Sequence, residues 1–306
     1  MRTNSKIVAY LDILGFTERI NDNIQSGAVL LGNYQTILQS LIIDQKFQES
    51  RGNSKKFKDY GIDSFDLFLP FSDSIFIQAS NAPVFVKQLS NFLIKCFELT
   101  ANSYRYPEDA EEPHKVSILS PIIKEDKLTK NYIKVDWWPL LFRGGIGYNE
   151  SYVVEMDAIV DSDKTKVSNI IGKAVVDAYS LESKGKGPRL FCNSGFYDQL
   201  NEESKEYCRE LGDSDFEILW PAFYFIKDNM AEFEYNKIKD IMLPVINLFK
   251  AYKNKNFGMH YEEFLKLTIR SIIRFFEIKK EKELKDIKNL IWKILESYGI
   301  DDLLMY

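Results

Sequence analysis

Apolar residues run almost without interruption through Ile7-Val8-Ala9-Tyr10-Leu11-Asp12-Ile13. A run this short, with little alternation, fits a strand buried at the centre of a sheet. Gly15 ends it, and Thr17 followed by Glu18 predicts a helix start with a threonine cap and a first-turn acid. Helical spacing continues over 17–50 through Ile20, Ile24, Leu30, Tyr34, Ile37 and Leu41, and Gly27 and Gly32 predict one interrupted helix or two. After a polar connection at 51–62, residues 65–79 read as a hairpin turning at Pro70-Phe71-Ser72, where the missing proline N–H does no harm. Residues 83–101 predict an amphipathic helix whose stripe is Phe85, Leu89, Phe92, Leu93, Cys96 and Phe97.

The polar stretch 102–133 reads as an insertion of undefined structure. Strands follow at 133–148, interrupted near Pro139, and at 152–160. A helix at 172–184 opens on Gly172, a strand at 189–192 leads into a short helix, and 216–225 reads as another strand. From about residue 228 strand signals stop, and helices are expected at 230–253, 260–280 and 282–298. The last repeats Leu284, Ile287, Ile291, Ile294 and Tyr298, barely two heptads, which fits ordinary packing better than a dimerising coiled coil. The pattern predicts a mixed α/β (α+β) domain over 1–226 and a helical C-terminal extension over 227–306.

Composition narrows the function classes. The 306 residues are 45% hydrophobic and 14% aromatic, so the chain is globular. A net charge of −5 argues against non-specific nucleic-acid binding. Three cysteines without CxxC spacing fit free thiols in a reducing compartment, and His114 and His260 show no zinc-ligand spacing. There is no signal-peptide pattern and no apolar run of the ~20 residues that a membrane span needs. A soluble cytoplasmic protein with neither nucleic-acid nor membrane partners is expected.

Asp12 and Asp73 each stand in an otherwise apolar, strand-like run. A buried carboxylate costs several kcal/mol unless compensated, and a divalent cation bridging the pair would compensate both. The glycine turn after Asp12 opens a helix whose first amides, from Ile13 to Thr17, could face a phosphate. Two carboxylates beside a phosphate cradle suit Mg²⁺ or Mn²⁺, with substrate phosphates completing the coordination.

The segments YLDILGF, FSDSIF, FRGGIGY and IIGKAVVDAYSLES, in that order over residues 6–225, resemble the class III nucleotidyl cyclase domain. The resemblance implies a ferredoxin-like palm fold with a central mixed sheet flanked by helices, two divalent ions per site and a head-to-tail homodimer. In that dimer one chain supplies the metal ligands and the other the Asn169 side. It also implies metal contacts from Asp12, Asp73 and the Ile13 carbonyl; the turn amides place substrate contacts around Gly15, Phe16 and Thr17, and Lys173 is a nearby cation that could join them.

Four positions depart from the family pattern. Leu69 stands where purine cyclases keep a base-reading lysine, and Asn169 where adenylyl cyclases keep a base-reading aspartate. Val176 and Ser180 replace the usual asparagine and arginine. Leu69 cannot hydrogen-bond a base edge, whereas Asn169 offers a donor and an acceptor that suit a pyrimidine. With both aspartates kept, these departures resemble the pyrimidine cyclases of the Pycsar anti-phage systems. That resemblance implies UTP or CTP as substrate and a cyclic-nucleotide-sensing effector downstream.

Arg143 is a candidate transition-state group or, equally, a salt-bridge partner for an aspartate. Lys184, Lys186 and Arg189 read as a solvated turn more readily than as a triphosphate clamp, and Trp137-Trp138 as packing. Two rival readings stay open: another palm-fold nucleotidyltransferase or purine cyclase, and a catalytically dead nucleotide-binding relative.

Overall fold

The computed structural model describes residues 5–39, 62–105, 115–124, 127–160, 163–226 and 236–304. Its centre is β1 (Ser5–Ile13), which lies antiparallel between β3 (Ser74–Ala79) and β6 (Phe142–Glu150). The full sheet has seven strands in the order β10-β11-β9-β6-β1-β3-β2, with β2 at Phe65–Phe71, β9 at Leu190–Asn193, β10 at Cys208–Gly212 and β11 at Asp215–Ile218. Among the described residues only β6 and β9 pair in parallel, so the sheet is mixed, as expected. Alternation along β1 buries Ile7, Ala9, Leu11 and Ile13 in the main core and places Val8 in a smaller cluster with Tyr10, on the face that also carries Asp12.

The sheet's main-core face is closed largely by α3 (Ala82–Thr100), whose predicted stripe is buried throughout. The opposite face carries α5 (Lys173–Glu182), which docks directly on the β6 backbone. A Cβ at Gly145 would sit 2.1 Å from the Ala178 carbonyl, and one at Gly147 would sit 2.6 Å from that of Ala174. The glycines of RGGIG therefore serve a close helix–strand approach, which brings Tyr179 and Glu182 beside β1.

Several local expectations change. The first helix is α1 (Phe16–Asp22), capped by Gly15 at φ +72° rather than by Thr17, which lies inside it. The break before α2 (Ile24–Leu38) falls at Asn23, whose side chain accepts from the Gln25 amide, and not at either glycine; residues 40–50 of the expected helix lie outside the described residues. Pro70 sits within β2, tolerated because β2 is an edge strand, and the turn is Ser72-Asp73. Asp73 is thus a turn residue and not a strand residue.

The insertion is structured where described: α4 (Asn102–Arg105) precedes a hairpin of β4 (Lys115–Lys124) and β5 (Lys127–Asp136). The strand expected over 133–148 is thereby split between β5 and β6. A second hairpin pairs β7 (Tyr152–Val160) with β8 (Asp163–Ile171), the latter missed because its polar residues alternate on two exposed faces. The strand expected over 216–225 ends at Ile218; Pro221 cannot donate to a ladder, and the chain turns into helical structure over Trp220–Ala222 and α8 (Phe223–Ile226). Between β9 and β10 lie α6 (Ser194–Gln199) and α7 (Glu202–Lys205).

The three C-terminal helices form as α9 (Asn236–Tyr252), α10 (Gly258–Lys279) and α11 (Leu284–Ser297). They share the main core instead of standing apart: Phe264 packs edge-on to Phe97 at 5.0 Å and against Trp220 at 5.8 Å. The α11 seam faces this core through Ile287, Ile291 and Ile294. Trp138 is buried against Tyr252, and Trp137 donates to the Thr100 carbonyl, so both tryptophans pack. The cysteines are free thiols, and burial pushes those of Cys96 and Cys192 well up. Among the described residues, no helix is long and apolar enough to cross a membrane.

Candidate active site

The end of β1 and the turn of the β2–β3 hairpin meet at one cleft of about 250 Å³. Register places Asp12 opposite Ser74 on one side and Arg143 on the other, and the Ile13 amide donates to the Asp73 carbonyl at 3.0 Å. Asp12, Asp73 and Arg143 all line the cleft, together with Ile13, Gly15, Phe16 and Thr17. Two carboxylates that the sequence did not single out, Glu18 and Glu182, line it as well. Glu182 ends α5, so the glycine-mediated docking of that helix is what delivers it.

Arg143 donates to Asp12 Oδ2 from Nε at 3.2 Å and from Nη2 at 3.1 Å, and it also pairs with Glu182. The salt-bridge role is therefore real, and it leaves Asp12 Oδ1 without a hydrogen-bond partner among the described residues. Burial, partly offset by Arg143 and reinforced by Asp73, pushes the Asp12 carboxyl up to about 6. Burial raises Glu182 too, against the pull of Arg143. Tyr10, beside Asp12, is pushed up to about 12 by burial and then by the Asp12 charge. Its ring lies 5.3 Å from that of Tyr179, so the two tyrosines form one aromatic wall.

Four carboxylates thus face one guanidinium around the cleft. This excess of negative charge would repel a polyphosphate on its own and suits a divalent cation. Among the described residues no three His, Cys, Asp or Glu side chains converge as a self-sufficient metal cluster. The carboxylates of Asp12 and Asp73 in one cleft are a donor set that suits a hard cation bound by few protein oxygens.

The amide cradle is smaller than expected. Ile13 donates to Asp73 and Leu14 to the Leu141 carbonyl at 2.8 Å, so those two amides are taken. Gly15, Phe16 and Thr17 keep amides that the first turn of α1 leaves without intrahelical partners. The turn is braced from below by Arg19, which the sequence did not reveal. Its guanidinium donates to the Leu14 carbonyl and to the Tyr261 hydroxyl at 2.7 Å, and lies 4.2 Å over the Trp138 ring.

The remaining predicted residues are not brought to this cleft. Leu69 lies on β2 against the smaller cluster with Tyr10 and Phe76. Asn169 is on β8, its side-chain oxygen accepting from the Ile170 amide. Lys173 is exposed and pairs with Asp177 at 2.9 Å. Lys184 and Arg189, considered as phosphate cations, are bound instead to Asp215 and Glu217. His114 lies outside the described residues. His260, at the start of α10, does reach the cleft. The β2–β3 half of the second face is only partly covered, and Val176 and Tyr179 on α5 are 62% and 60% exposed beside it.

No family model and no curated protein matches the chain. Among solved structures, the adenylyl cyclase CyaB from P. aeruginosa is similar at 16% identity, over 71% of this chain and 96% of that one, with a TM-score of 0.42. The guanylyl cyclase Cya2 is similar at 12% identity over 70% of this chain and 91% of that one, with a TM-score of 0.43. The guanylate cyclase domain of RhGC from Catenaria anguillulae, solved with GTP, is similar at 12% identity over 71% and 96%, with a TM-score of 0.38. At such identities residue roles do not transfer, and they rest here on the chemistry of the cleft itself.

Proposed function

We propose that this chain is a nucleotidyl cyclase that converts UTP or CTP to the 3′,5′-cyclic monophosphate and pyrophosphate. The observation that carries the reading is the cleft: Asp12, from a strand end, and Asp73, from a hairpin turn, line it together with Gly15, Phe16 and Thr17, whose amides are open. Mg²⁺ or Mn²⁺, two ions per site, would be held by Asp12, Asp73 and the Ile13 carbonyl, and would neutralise phosphate charge and acidify the ribose hydroxyl. The open amides bind phosphate oxygens, and the aromatic wall of Tyr10 and Tyr179 excludes water from the sugar side. Arg143 is anchored by Asp12 and Glu182 and directs its remaining donors at the charge developing on the α-phosphate. The 3′-oxygen attacks the α-phosphorus, the bond to the pyrophosphate oxygen breaks, and the hydroxyl proton passes to water.

The base-reading half belongs to a second copy of the chain. The half-covered face of Tyr10, Leu67, Leu69 and Phe76, with exposed Val176 and Tyr179, supports a homodimer that closes the cleft with the partner's Asn169 side. An apolar Leu69 and an amide at Asn169 favour a pyrimidine over a purine. The product would act as an anti-phage signal read by a cyclic-nucleotide-sensing effector. Cytoplasmic location follows from that role.

The test is incubation with each of the four nucleoside triphosphates and Mn²⁺, with products identified by chromatography and mass spectrometry. Cyclic UMP or cyclic CMP is expected. Exclusive turnover of ATP or GTP overturns the base assignment. Triphosphate binding without any cyclic product overturns the enzyme in favour of a binding protein.

A further inference from the structure

His260 stands two residues into α10, far in sequence from the rest of the cleft, yet it lines the cleft beside Gly15 and Glu18. Its position is fixed on two sides. Nδ1 accepts a hydrogen bond from the Gly187 amide at 2.9 Å, in the connection between α5 and β9. The next residue, Tyr261, accepts from Arg19, the side chain that braces the Leu14 carbonyl under the amide turn. His260, Tyr261, Arg19 and Gly15 also line one small cavity beneath that turn. The start of α10 is therefore docked on the element that presents the open amides.

An imidazole whose Nδ1 accepts carries its proton on Nε2 when neutral. Burial, together with the charges of Lys186 and Arg143, favours the neutral ring. Nε2 has no hydrogen-bond partner among the described residues, and the ring borders the cleft at its Gly15–Glu18 end. An unspent N–H donor on the wall of the cleft that Asp12 and Asp73 line is placed to donate to an anion bound there.

We infer that His260 is a substrate-binding residue, donating from Nε2 to the phosphate chain of a nucleotide bound in the cleft that Asp12 and Asp73 line. The inference rests on the cyclase reading and gives the C-terminal helices a part in the site. It predicts that the helical extension senses the triphosphate end of the nucleotide, and therefore also pyrophosphate before release.

Two substitutions separate this donor from a merely structural contact. In His260→Asn the amide oxygen falls near Nδ1 and keeps the Gly187 bond, but nothing reaches the Nε2 position. In His260→Gln an amide nitrogen reaches the Nε2 position while the acceptor for Gly187 is lost. Calorimetric titration of the full chain with pyrophosphate and Mn²⁺ reads binding whether or not turnover occurs. His260→Asn should weaken pyrophosphate about tenfold, the size of a hydrogen bond to a charged group, and raise KM more than it lowers kcat, while His260→Gln restores most of the affinity. Equal affinities in all three proteins overturn the inference, as does a loss confined to His260→Gln or shared equally by both variants. A wild-type chain that binds pyrophosphate but cyclises nothing counts against the cyclase reading and leaves the His260 comparison standing.

Discussion

The two halves of the site are built differently. The proposed metal and phosphate half comes together within one chain: Asp12 at a strand end, Asp73 at a hairpin turn, Arg143 opposite Asp12 in register, and the amides of a turn braced by Arg19. Every piece there is fixed by backbone pairing or by a buried side chain. The proposed base-reading and transition-state half is dispersed, with Leu69 on an edge strand, Asn169 on an exposed hairpin, and Val176 and Ser180 on the open side of α5. On the proposed reading, a half that is assembled by the fold alone would bind a cation and phosphate in a monomer. A half laid out on a partly apolar face needs a second molecule to become a pocket.

The largest expected effect breaks the first half alone. Asp12→Asn or Asp73→Asn should lower product formation by at least about a hundredfold while dimerisation, followed by sedimentation, is unchanged. Full activity in either variant would sink the metal assignment. A charge on the second half should act through association instead. Val176→Asp, at a position 62% exposed in the single chain, is expected to leave monomer stability within about 0.5 kcal/mol but to cost roughly tenfold in activity at low concentration, recovered as concentration rises. Concentration-independent activity would show that no partner is required.

The electrostatics of the first half have a stability signature. The Asp12 carboxyl lies at about 6, above its ordinary 3.8, chiefly through burial. Between these values the native state holds a proton that the unfolded chain has released, so stability falls as pH rises from about 4 to about 6 and is level above that. The metal-free loss is on the order of 1–2 kcal/mol once Arg143 and solvent screening are allowed for, and Asp12→Asn should flatten it in denaturant titrations at several pH values. An unchanged slope would remove Asp12 as its source. An effect of similar size is expected at the turn. Gly15→Ala forces an L-residue to φ +72° and sets a Cβ 2.8 Å from Arg19 Nη1, for a cost of about 1–2 kcal/mol in thermal unfolding.

The sequence made the first half legible and the second half only by resemblance. A carboxylate in an apolar run stands out because burial makes it costly, and the glycine after it marks the turn, so Asp12 and Gly15 could be found from pattern alone. Asp73 was found for a partly mistaken reason, since the turn lies at Ser72-Asp73 and not at Pro70. An edge strand accepts proline, and strand propensity there hid the turn. Arg19, Glu182 and His260 were not visible. Arg19 looked like any surface arginine on a helix, and His260 reaches the cleft only through packing of α10 on a turn some 240 residues earlier, as the Arg19–Tyr261 separation of 242 records. Exposed, alternating β8 was missed because neither of its faces is buried.

The split site is tested most directly by complementation. Asp12→Asn removes the metal half of its own chain, and Asn169→Ala removes the base half that its chain lends to a partner. In a head-to-tail dimer of the two variants, one site carries both defects and the other carries neither. An equimolar mixture, with heterodimers verified by differently tagged chains, should recover about a quarter of wild-type activity although each variant alone is nearly inactive. Heterodimers that form and stay inactive would contradict the division of the site between two chains.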